Sequence, residues 1–249
     1  MNDRVKQIIE RFTDTTAWKK FRRNDRLYKF YKKIAGNKVE HFVLSDRVSD
    51  VQNNGLKAIS EITDALSGDD VEFFVDNGTL LGIVRENKLI RWDYDIDLGI
   101  IINEKFSWLD LENAMKRIGY EKDHQFRLFD EITEQTYKRG SMYVDFFNHI
   151  SDDSTTSFYC FYRDEKVEYS SSNEMSVLEL KTVKITGKKQ IDLENGVKVY
   201  IPLEAEQYLA GLYGESWRIP NPNWVSGSGP ACIHRDDCFG YFEKNDSVQ

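Results

Sequence analysis

The feature that most constrains the fold is the stretch IRWDYDIDLG at 90–99, where Asp93, Asp95 and Asp97 occupy every second position. On a β-strand alternate side chains point to the same face, so three carboxylates would share one side of one strand. The intervening residues are aromatic or aliphatic and predict a buried opposite face, so Tyr94 should point away from the acids. Like charges at this spacing repel one another and are costly to desolvate. The acidic face therefore needs a positively charged partner.

A glycine turn precedes this strand in the segment DNGTLLGIVREN at 76–87. Gly78 permits a tight turn with exposed backbone N–H groups, and Thr79 can cap the helix predicted over Thr79–Glu86 and donate its hydroxyl. A helix N-terminus of this kind favours an anion such as a phosphate. Carboxylates beside a phosphate site are typical ligands of a hard cation, either Mg²⁺ or Mn²⁺.

A further carboxylate is predicted from the segment YVDFFNH at 143–149. Asp145 is flanked there by Val144 and Phe146, and an acid inside an apolar strand is costly unless it is paired or bound to a metal. A salt bridge to a nearby Arg or Lys is the alternative explanation. The sequence favours the metal site, because the first aspartates already require a cation. The predicted metal ligands are Asp93, Asp95, Asp97 and Asp145.

The order of helical and strand patterns predicts an α+β fold with a mixed β-sheet core and flanking helices. The chain has 249 residues and 40% hydrophobic content, which is enough for a sizeable core. We divide it into an N-terminal helical segment, 1–68, and a catalytic domain, 69–249. The turn-rich segment from 226 onward is predicted to run over the surface. Helices are predicted at 46–66, 79–86, 108–118 and 203–213, and strands at 71–75, 95–102, 126–129, 141–147, 157–162, 181–185 and immediately before 203.

The charge distribution bears on possible partners. A net charge of −8 argues against general nucleic-acid binding. The segment WKKFRRNDRLYKFYKK at 18–33 is strongly basic and aromatic, and a helix there could contact an anionic membrane. A helix that packs through its aromatic side and leaves its basic side in solvent explains the same pattern. The N-terminus has no apolar signal region, which predicts a cytoplasmic protein that acts at the inner face of the membrane if residues 18–33 bind there.

The three cysteines do not suggest a disulfide framework, because their number is odd and their spacing is wide. Cys232, His234 and Cys238 could bind a metal, but no fourth ligand is evident in the sequence. Reduced thiols are the favoured interpretation for Cys160, Cys232 and Cys238.

Three separated segments resemble the LicD/fukutin family, which has a nucleotidyltransferase-like fold. DNGTLLGIVRENKLIRWDYDIDLGI at 76–100 is similar to its GTLLG-x-x-R motif followed by an aromatic residue and closely spaced aspartates. YVDFF at 143–147 is similar to its later acidic strand, and EQYLAGLYGESWRIPNP at 206–222 to its C-terminal helix and following proline. Tyr94 is a departure, since many members have aspartate at this position.

The resemblance implies an enzyme that transfers a phosphate-linked alcohol from a CDP-activated donor to a sugar hydroxyl of a surface glycan or lipid-linked precursor. Phosphocholine, ribitol phosphate and glycerol phosphate are the transferred groups it suggests. It also implies that Asp95 and Asp97 hold Mg²⁺ on the diphosphate, while Asp145 completes the site or acts as the base toward the acceptor. The implied substrate contacts are Gly78 and Thr79 at a phosphate, Arg85 and Lys88 as neutralising charges, and Trp92 as a stacking residue or a wall of the site.

Two rival functions remain open from the sequence. A related nucleotidyltransferase would move a nucleoside monophosphate to a small acceptor and release pyrophosphate, whereas the LicD-like reaction releases CMP. A non-enzymatic module that binds a glycan or a membrane is the second alternative.

Overall fold

An eight-stranded mixed sheet forms the centre of the computed structural model, which describes residues 38–67, 71–194, 196–221 and 224–245. The strand order is β1-β2-β5-β4-β3-β10-β7-β6, and β8 and β9 form a separate hairpin. The strands are β1 (Phe73–Val75), β2 (Ile96–Ile101), β3 (Glu121–Leu128), β4 (Glu131–Arg139), β5 (Met142–Ser151), β6 (Thr155–Tyr162), β7 (Glu174–Val183), β8 (Lys188–Asp192), β9 (Lys198–Pro202) and β10 (Cys232–Lys244).

Four helices lie among the described residues and confirm the α+β class. They are α1 (Lys38–Leu66), α2 (Asn77–Glu86), α3 (Trp108–Arg117) and α4 (Ala205–Tyr213). None of these described helices has the length and apolar character needed to cross a bilayer. The basic segment 18–33 lies outside the described residues, so its predicted helix and membrane contact stay predictions.

The sheet curls back on itself. β6 pairs with β5 through Ile150↔Ser157 and Ser151↔Thr156, so β5, β4, β3, β10, β7 and β6 form a ring. β1 and β2 extend from this ring, and β2 runs parallel to β5 while its other neighbour, β1, is antiparallel. The parallel pair brings the starts of β2 and β5 to the same edge of the sheet.

The segment from 226 onward was predicted to be turn-rich and to run over the surface; most side chains of its strand are exposed, but the turn-rich character is wrong for most of its length. β10 is a strand of 13 residues inserted between β3 and β7. It pairs with β7 from Cys232 to Tyr241 and with β3 from Tyr241 to Lys244, with an irregularity between Arg235 and Phe239. The end of the chain is therefore required to close the ring.

Helix α1 belongs to the same hydrophobic core as the sheet. Its buried side chains include Val51, Ile59 and Ile62, which have no exposed surface. The predicted helix began at 46, whereas the structure begins it at Lys38. The proposed boundary at 68 falls just after this helix, and the division into two parts stays a prediction.

A fully buried polar network fixes the start of α2. The N-cap is Asp76, whose carboxylate accepts hydrogen bonds from the Asn77 N–H and the Tyr208 hydroxyl, each at 2.7 Å. The second carboxylate oxygen of Asp76 lies 2.7 Å from Nε2 of His149. Because Tyr208 is on α4 and His149 on β5, this network ties the glycine turn to two distant elements.

Replacing Gly99 with alanine should test how tightly β2 packs beside this network. A Cβ at Gly99 would lie 2.5 Å from the Phe74 ring and 2.7 Å from Nε2 of His149. We expect Gly99→Ala to lower the free energy of unfolding by about 1–3 kcal/mol, because an overpacked core must shift. Urea unfolding measures this change.

Gly211→Ala is the matched control, because its Cβ would meet only the Thr182 side chain at 3.6 Å, an ordinary contact, inside α4. We expect no loss of stability there, since alanine favours a helix over glycine. Equal destabilisation by both substitutions would contradict the packing described around Gly99.

Candidate active site

The predicted acids gather where β2 and β5 begin. In the parallel register of these strands Asp97 lies directly opposite Asp145, and neighbouring strands are about 4.8 Å apart. Only Asp97 belongs to β2, because the regular strand starts at Ile96 and Asp95 precedes it in an irregular segment. The two strands and the segment before β2 therefore deliver three carboxylates to one place.

These three acids line a cavity of about 310 Å³, which we call the carboxylate cavity. Its floor lies on the curled sheet and is formed mainly by aliphatic, aromatic and thiol side chains. Its other wall comes from the end of α4 and the segment after it. The cavity is lined by Asn77, Gly78, Tyr94, Asp95, Asp97, Asp145, Phe147, Cys160, Leu178, Leu180, Leu212, Tyr213, Trp224, Ser226, Gly227 and Cys232.

The three carboxyls share an environment that opposes their ionisation. Burial, and then the charges of Asp145 and Asp93, raise the pKa of Asp95 to about 8. Burial followed by the charge of Asp95 places the pKa of Asp97 well above its usual range. Burial also raises the pKa of Asp145, against the hydrogen bond that it receives from Thr136. A cation placed among them would favour the charged forms.

Glu134 is a fourth acid beside this cluster, and the sequence analysis missed it. It is buried on β4, opposite Phe147 of β5 and two residues from Thr136, which pairs with Asp145. Burial and then the charges of Asp145 and Asp95 raise its pKa well above the usual value. Its strand was not predicted, so no pattern in the sequence brought Glu134 to the site.

A chain of hydrogen bonds runs from Asp145 across the sheet. The Thr136 hydroxyl donates to Asp145 at 2.6 Å and lies 3.1 Å from Nε2 of His124. Nδ1 of His124 lies 2.9 Å from the carboxylate of Asp123, which also accepts from Lys138 at 2.7 Å. This chain holds the Asp145 carboxyl in one orientation from the side away from Asp97.

Asp93 is separated from the other predicted metal ligands. It lies in a second cavity, of about 380 Å³, on the other side of Gly78, and burial raises its pKa to about 7 against the charge of Arg85. We call this the aromatic cavity. It is lined by Gly78, Leu81, Arg85, Ile90, Trp92, Asp93, Tyr94, Tyr213, Ser216, Trp217, Ile219, Pro220, Asn221, Trp224 and Ser226.

Gly78 stands between the two cavities and lines both. Its N–H donates to the Asp97 carboxylate at 3.2 Å. A Cβ at this position would lie 3.2 Å from one carboxylate oxygen of Asp93 and 3.4 Å from the other. The absence of a side chain therefore lets two acids approach one turn from opposite sides.

Thr79 does not cap the helix as expected. α2 begins two residues earlier, at Asn77, with Asp76 as its N-cap. Thr79 is fully buried, and its hydroxyl oxygen accepts the backbone N–H of Asp97 at 3.0 Å. The side chain thus fixes the start of β2 to α2, and it is not among the residues that line either cavity.

The expectation that Tyr94 points away from the acids is wrong. Tyr94 lines both cavities, and the charge of Asp95, followed by burial, raises its pKa to about 12. The alternation rule holds only within an extended strand, and Tyr94 precedes the first residue of β2.

The remaining predicted contacts divide between cavity and surface. Trp92 is 62% exposed and lines the aromatic cavity. Arg85 lines the same cavity and pairs with Glu86 at 2.7 Å, while its side chain is only 8% exposed. Lys88 also pairs with Glu86, at 3.4 Å, but is 66% exposed and does not line the cavity.

The three acids of the carboxylate cavity have the donor chemistry that Mg²⁺ requires. No Lys or Arg of the described residues forms an ion pair with them. The described residues also contain no group of three or more His, Cys, Asp or Glu side chains that are already placed to hold a metal ion by themselves. Mg²⁺ commonly takes one or two carboxylates and completes its shell with water and substrate phosphates. That Asp95, Asp97 and Asp145 supply the carboxylates of such a shared site stays a prediction. Cys232, His234 and Cys238 form no such group, and the cysteines are free thiols.

Arg47 on α1 places a positive charge near the acids of the carboxylate cavity, although it precedes all of the cavity-lining residues in the chain. Its guanidinium lies 3.3 Å from the centre of the Tyr143 ring. The charge of Arg47 lowers the pKa of both Asp95 and Asp145, although burial outweighs it. The sequence analysis did not identify this residue.

Comparison with known families agrees with the sequence resemblance. Residues 70–189 match the family model described as LicD/FKTN/FKRP, nucleotidyltransferase domain. The chain is 23% identical over 189 residues to the human ribitol-5-phosphate transferase FKTN, covering 72% of this chain and 36% of that protein. The mouse protein of the same name is 22% identical over 226 residues, covering 87% and 43%. The chain thus spans well under half the length of these relatives.

Two other similarities are weaker. An uncharacterized protein of Rickettsia typhi is 28% identical over 102 residues, covering 38% of this chain and 33% of that protein. The crystal structure of ANT(2″)-Ia in complex with adenylyl-2″-tobramycin superimposes with a TM-score of 0.40 at 12% identity, covering 69% of this chain and 81% of that chain.

Asp123→Asn removes the charged carboxylate at the far end of the hydrogen-bond chain that begins at Asp145, and it should destabilise the fold. The contacts to His124 and then to Lys138 hold the pKa of Asp123 well below its usual range. Such a depressed pKa stabilises the fold above the unfolded-state value of about 3.9, and the contribution is lost as the pH falls toward the folded-state value. We expect the variant to be less stable by about 1–3 kcal/mol at pH 7.

Urea unfolding at several pH values tests this expectation. The stability difference between the wild type and Asp123→Asn should shrink below about pH 4. Asp153→Asn on the exposed surface is the control and should stay within about 0.5 kcal/mol of the wild type. A difference that does not change with pH would contradict the ionic role of Asp123.

Proposed function

The match of residues 70–189 assigns this chain to the LicD/fukutin family, and on that premise we propose that it transfers a phosphate-linked alcohol from a CDP-activated donor to a sugar hydroxyl. The relatives named ribitol-5-phosphate transferase make a polyol phosphate the first choice for the transferred group. The acceptor is proposed to be a surface glycan or its lipid-linked precursor.

The pairing of Asp97 with Asp145 beside the Gly78 turn is the observation that carries this proposal. Phosphoryl transfer demands little covalent chemistry from the protein and depends mainly on positioning and on charge stabilisation. The parallel strands hold two carboxylates opposite each other, and Asp95 lines the same cavity. This is an arrangement suited to a diphosphate and a divalent cation.

In the proposed reaction, Asp95, Asp97 and Asp145 would hold Mg²⁺ or Mn²⁺, whose positive charge would offset the negative charge of the diphosphate. The Gly78 N–H holds the Asp97 carboxylate in place, and the Thr136 hydroxyl does the same for Asp145. The missing side chain at Gly78 leaves room for a phosphate to approach the turn.

Asp145 has two possible roles, which different measurements separate. As a metal ligand its loss would weaken the binding of Mg²⁺. As the base it would take the proton of the acceptor hydroxyl, and Asp145→Asn would lower kcat while Mg²⁺ affinity stays near the wild-type value. Glu134 is buried beside it but does not line the carboxylate cavity, so Asp145 is the carboxyl that an acceptor hydroxyl in this cavity would meet.

Product analysis is the direct test of the proposed reaction. The protein is incubated with Mg²⁺, a sugar acceptor and CDP-ribitol, CDP-glycerol or CDP-choline, and the released nucleotide is identified. Release of CMP with phosphate-linked alcohol on the acceptor supports the proposal. Release of pyrophosphate from CTP or ATP with a nucleotidylated acceptor would instead establish a nucleotidyltransferase. Absence of Mg²⁺-dependent binding of CDP and CMP would favour the non-enzymatic alternative.

Asp95→Asn and Asp97→Asn should abolish transfer and remove the stabilisation that Mg²⁺ gives the wild type. Because the folded-state pKa of each acid is raised, its ionisation opposes folding at pH above the folded-state pKa. Without metal, we therefore expect both variants to unfold at a higher temperature than the wild type at pH 8.5. Added Mg²⁺ should raise the Tm of the wild type and have little effect on the variants.

Asp153→Asn serves as the control for this experiment, since it lies on the exposed surface away from both cavities. It should respond to Mg²⁺ like the wild type. Near wild-type turnover in both active-site variants would overturn the assignment of these acids.

A further inference from the structure

The aromatic cavity has a composition unlike that of the carboxylate cavity. Exposed or partly exposed rings of Trp92, Tyr94 and Trp224 border it, with Trp92 the most accessible at 62%. Flat aromatic surfaces of this kind stack on nucleic-acid bases. The cavity meets the carboxylate cavity at Gly78, where the proposed diphosphate lies, so a group attached to that diphosphate can enter it.

Two charged groups give the aromatic cavity a specific hydrogen-bonding pattern. Oδ2 of Asp93 is buried and has no hydrogen-bond partner in the described residues, so it is an acceptor that lacks a donor. Arg85 gives Nε and Nη2 to Glu86, and a guanidinium carries five N–H donors in all. An acceptor and a donor therefore face the same aromatic cavity.

We propose that this cavity binds the cytosine base of the donor nucleotide, with Asp93 accepting a hydrogen bond from the exocyclic amino group and Arg85 donating to the ring carbonyl. Trp92 stacks on the base. Cytosine carries an amino donor where uracil carries a carbonyl acceptor, and a carboxylate accepts from that amino group. The ionised Asp93 carboxylate thus disfavours uracil, whose carbonyl would face it without a donor.

The presence of Arg85 argues against a different occupant, the quaternary ammonium of a choline headgroup. Aromatic rings and a carboxylate alone would suit such a cation. A guanidinium in the same cavity repels it, whereas a neutral base with both donors and acceptors matches Asp93 and Arg85 together.

This inference rests on the proposed function, because it concerns the nucleotide of the proposed donor, and it gives Asp93 a role other than the predicted metal ligand. The two roles differ in what they predict for nucleotide choice. A metal ligand acts on the phosphates, which CDP and UDP share, so its loss would weaken both equally. A residue that hydrogen-bonds to the base changes the ratio of the CDP affinity to the UDP affinity.

Isothermal titration with CDP and UDP in the presence of Mg²⁺ tests the proposal on the full chain. We expect the wild type to bind CDP at least tenfold more tightly than UDP. Asp93→Asn retains the side-chain shape but offers an amide that can also donate. The ratio of the CDP affinity to the UDP affinity should therefore fall close to one. Trp92→Ala should weaken both nucleotides about tenfold or more through lost stacking.

Matched controls use residues on α3, away from both cavities. Leu109→Ala removes a side chain that is 64% exposed, close to the 62% of Trp92, and Asp110→Asn is the charge control for Asp93. Both should retain the wild-type affinities and preference. Thermal unfolding of each variant confirms that it is folded.

The outcomes separate this inference from the proposed function. Equal binding of CDP and UDP by the wild type, or an unchanged preference in Asp93→Asn, overturns the cytosine site and leaves the transferase proposal standing. An equal loss of both nucleotides in Asp93→Asn assigns Asp93 to the metal instead. If the wild type binds neither nucleotide with Mg²⁺, the proposed function itself fails.

Discussion

The close approach of Asp97 and Asp145 on neighbouring parallel strands is the constraint on which the rest of the site depends. Two buried carboxylates in direct register are unfavourable in isolation, since burial and mutual repulsion both raise their pKa values. A chain does not retain such an arrangement for stability, and the cost is concentrated where a cation and phosphates would relieve it. Asp95 and Glu134 add further acids to the same region rather than neutralising it.

The surrounding structure holds this acidic region in place with polar networks from three sides. Asp76 joins the glycine turn to His149 and Tyr208 through buried hydrogen bonds. Thr79 binds the backbone at Asp97 from α2. On the far side, Thr136 and the residues beyond it fix the Asp145 carboxyl. Each network connects elements that are distant in sequence, so the geometry of the acids follows from the whole fold and not from β2 alone.

Local patterns predicted the four described helices and seven of the ten described strands, but not β4, β8 and β10 or how the sheet closes into a ring. The aspartate strand, the glycine turn and the acid of β5 could be predicted from the sequence, because residues of these types are unfavourable in most other structural settings. β10 was missed because most of its side chains are exposed and its sequence does not alternate, so pairing with β3 and β7 decides its structure. Missing it also hid the ring that encloses the floor of the carboxylate cavity.

Two predictions near the site were wrong for the same reason: a rule for local structure was applied where it does not hold. Alternation placed Tyr94 away from the acids, but the backbone before Ile96 is not extended strand, and the ring turns toward them. Asp76 and Thr79 are both good N-cap residue types. The structure has Asp76 as the N-cap, because the Thr79 hydroxyl accepts the backbone N–H of Asp97, 18 positions away. Glu134 gave no local signal at all.

The segment that matches the family contains Asp95, Asp97 and Asp145 but not all the residues that line the cavity around them. Leu212, Tyr213 and Trp224 line the carboxylate cavity and lie beyond residue 189, where the match ends. Arg47 precedes the match, yet its charge acts on Asp95 and Asp145. The acids thus come from one part of the sequence, whereas residues before and after that part supply charge and walls to the cavity around them.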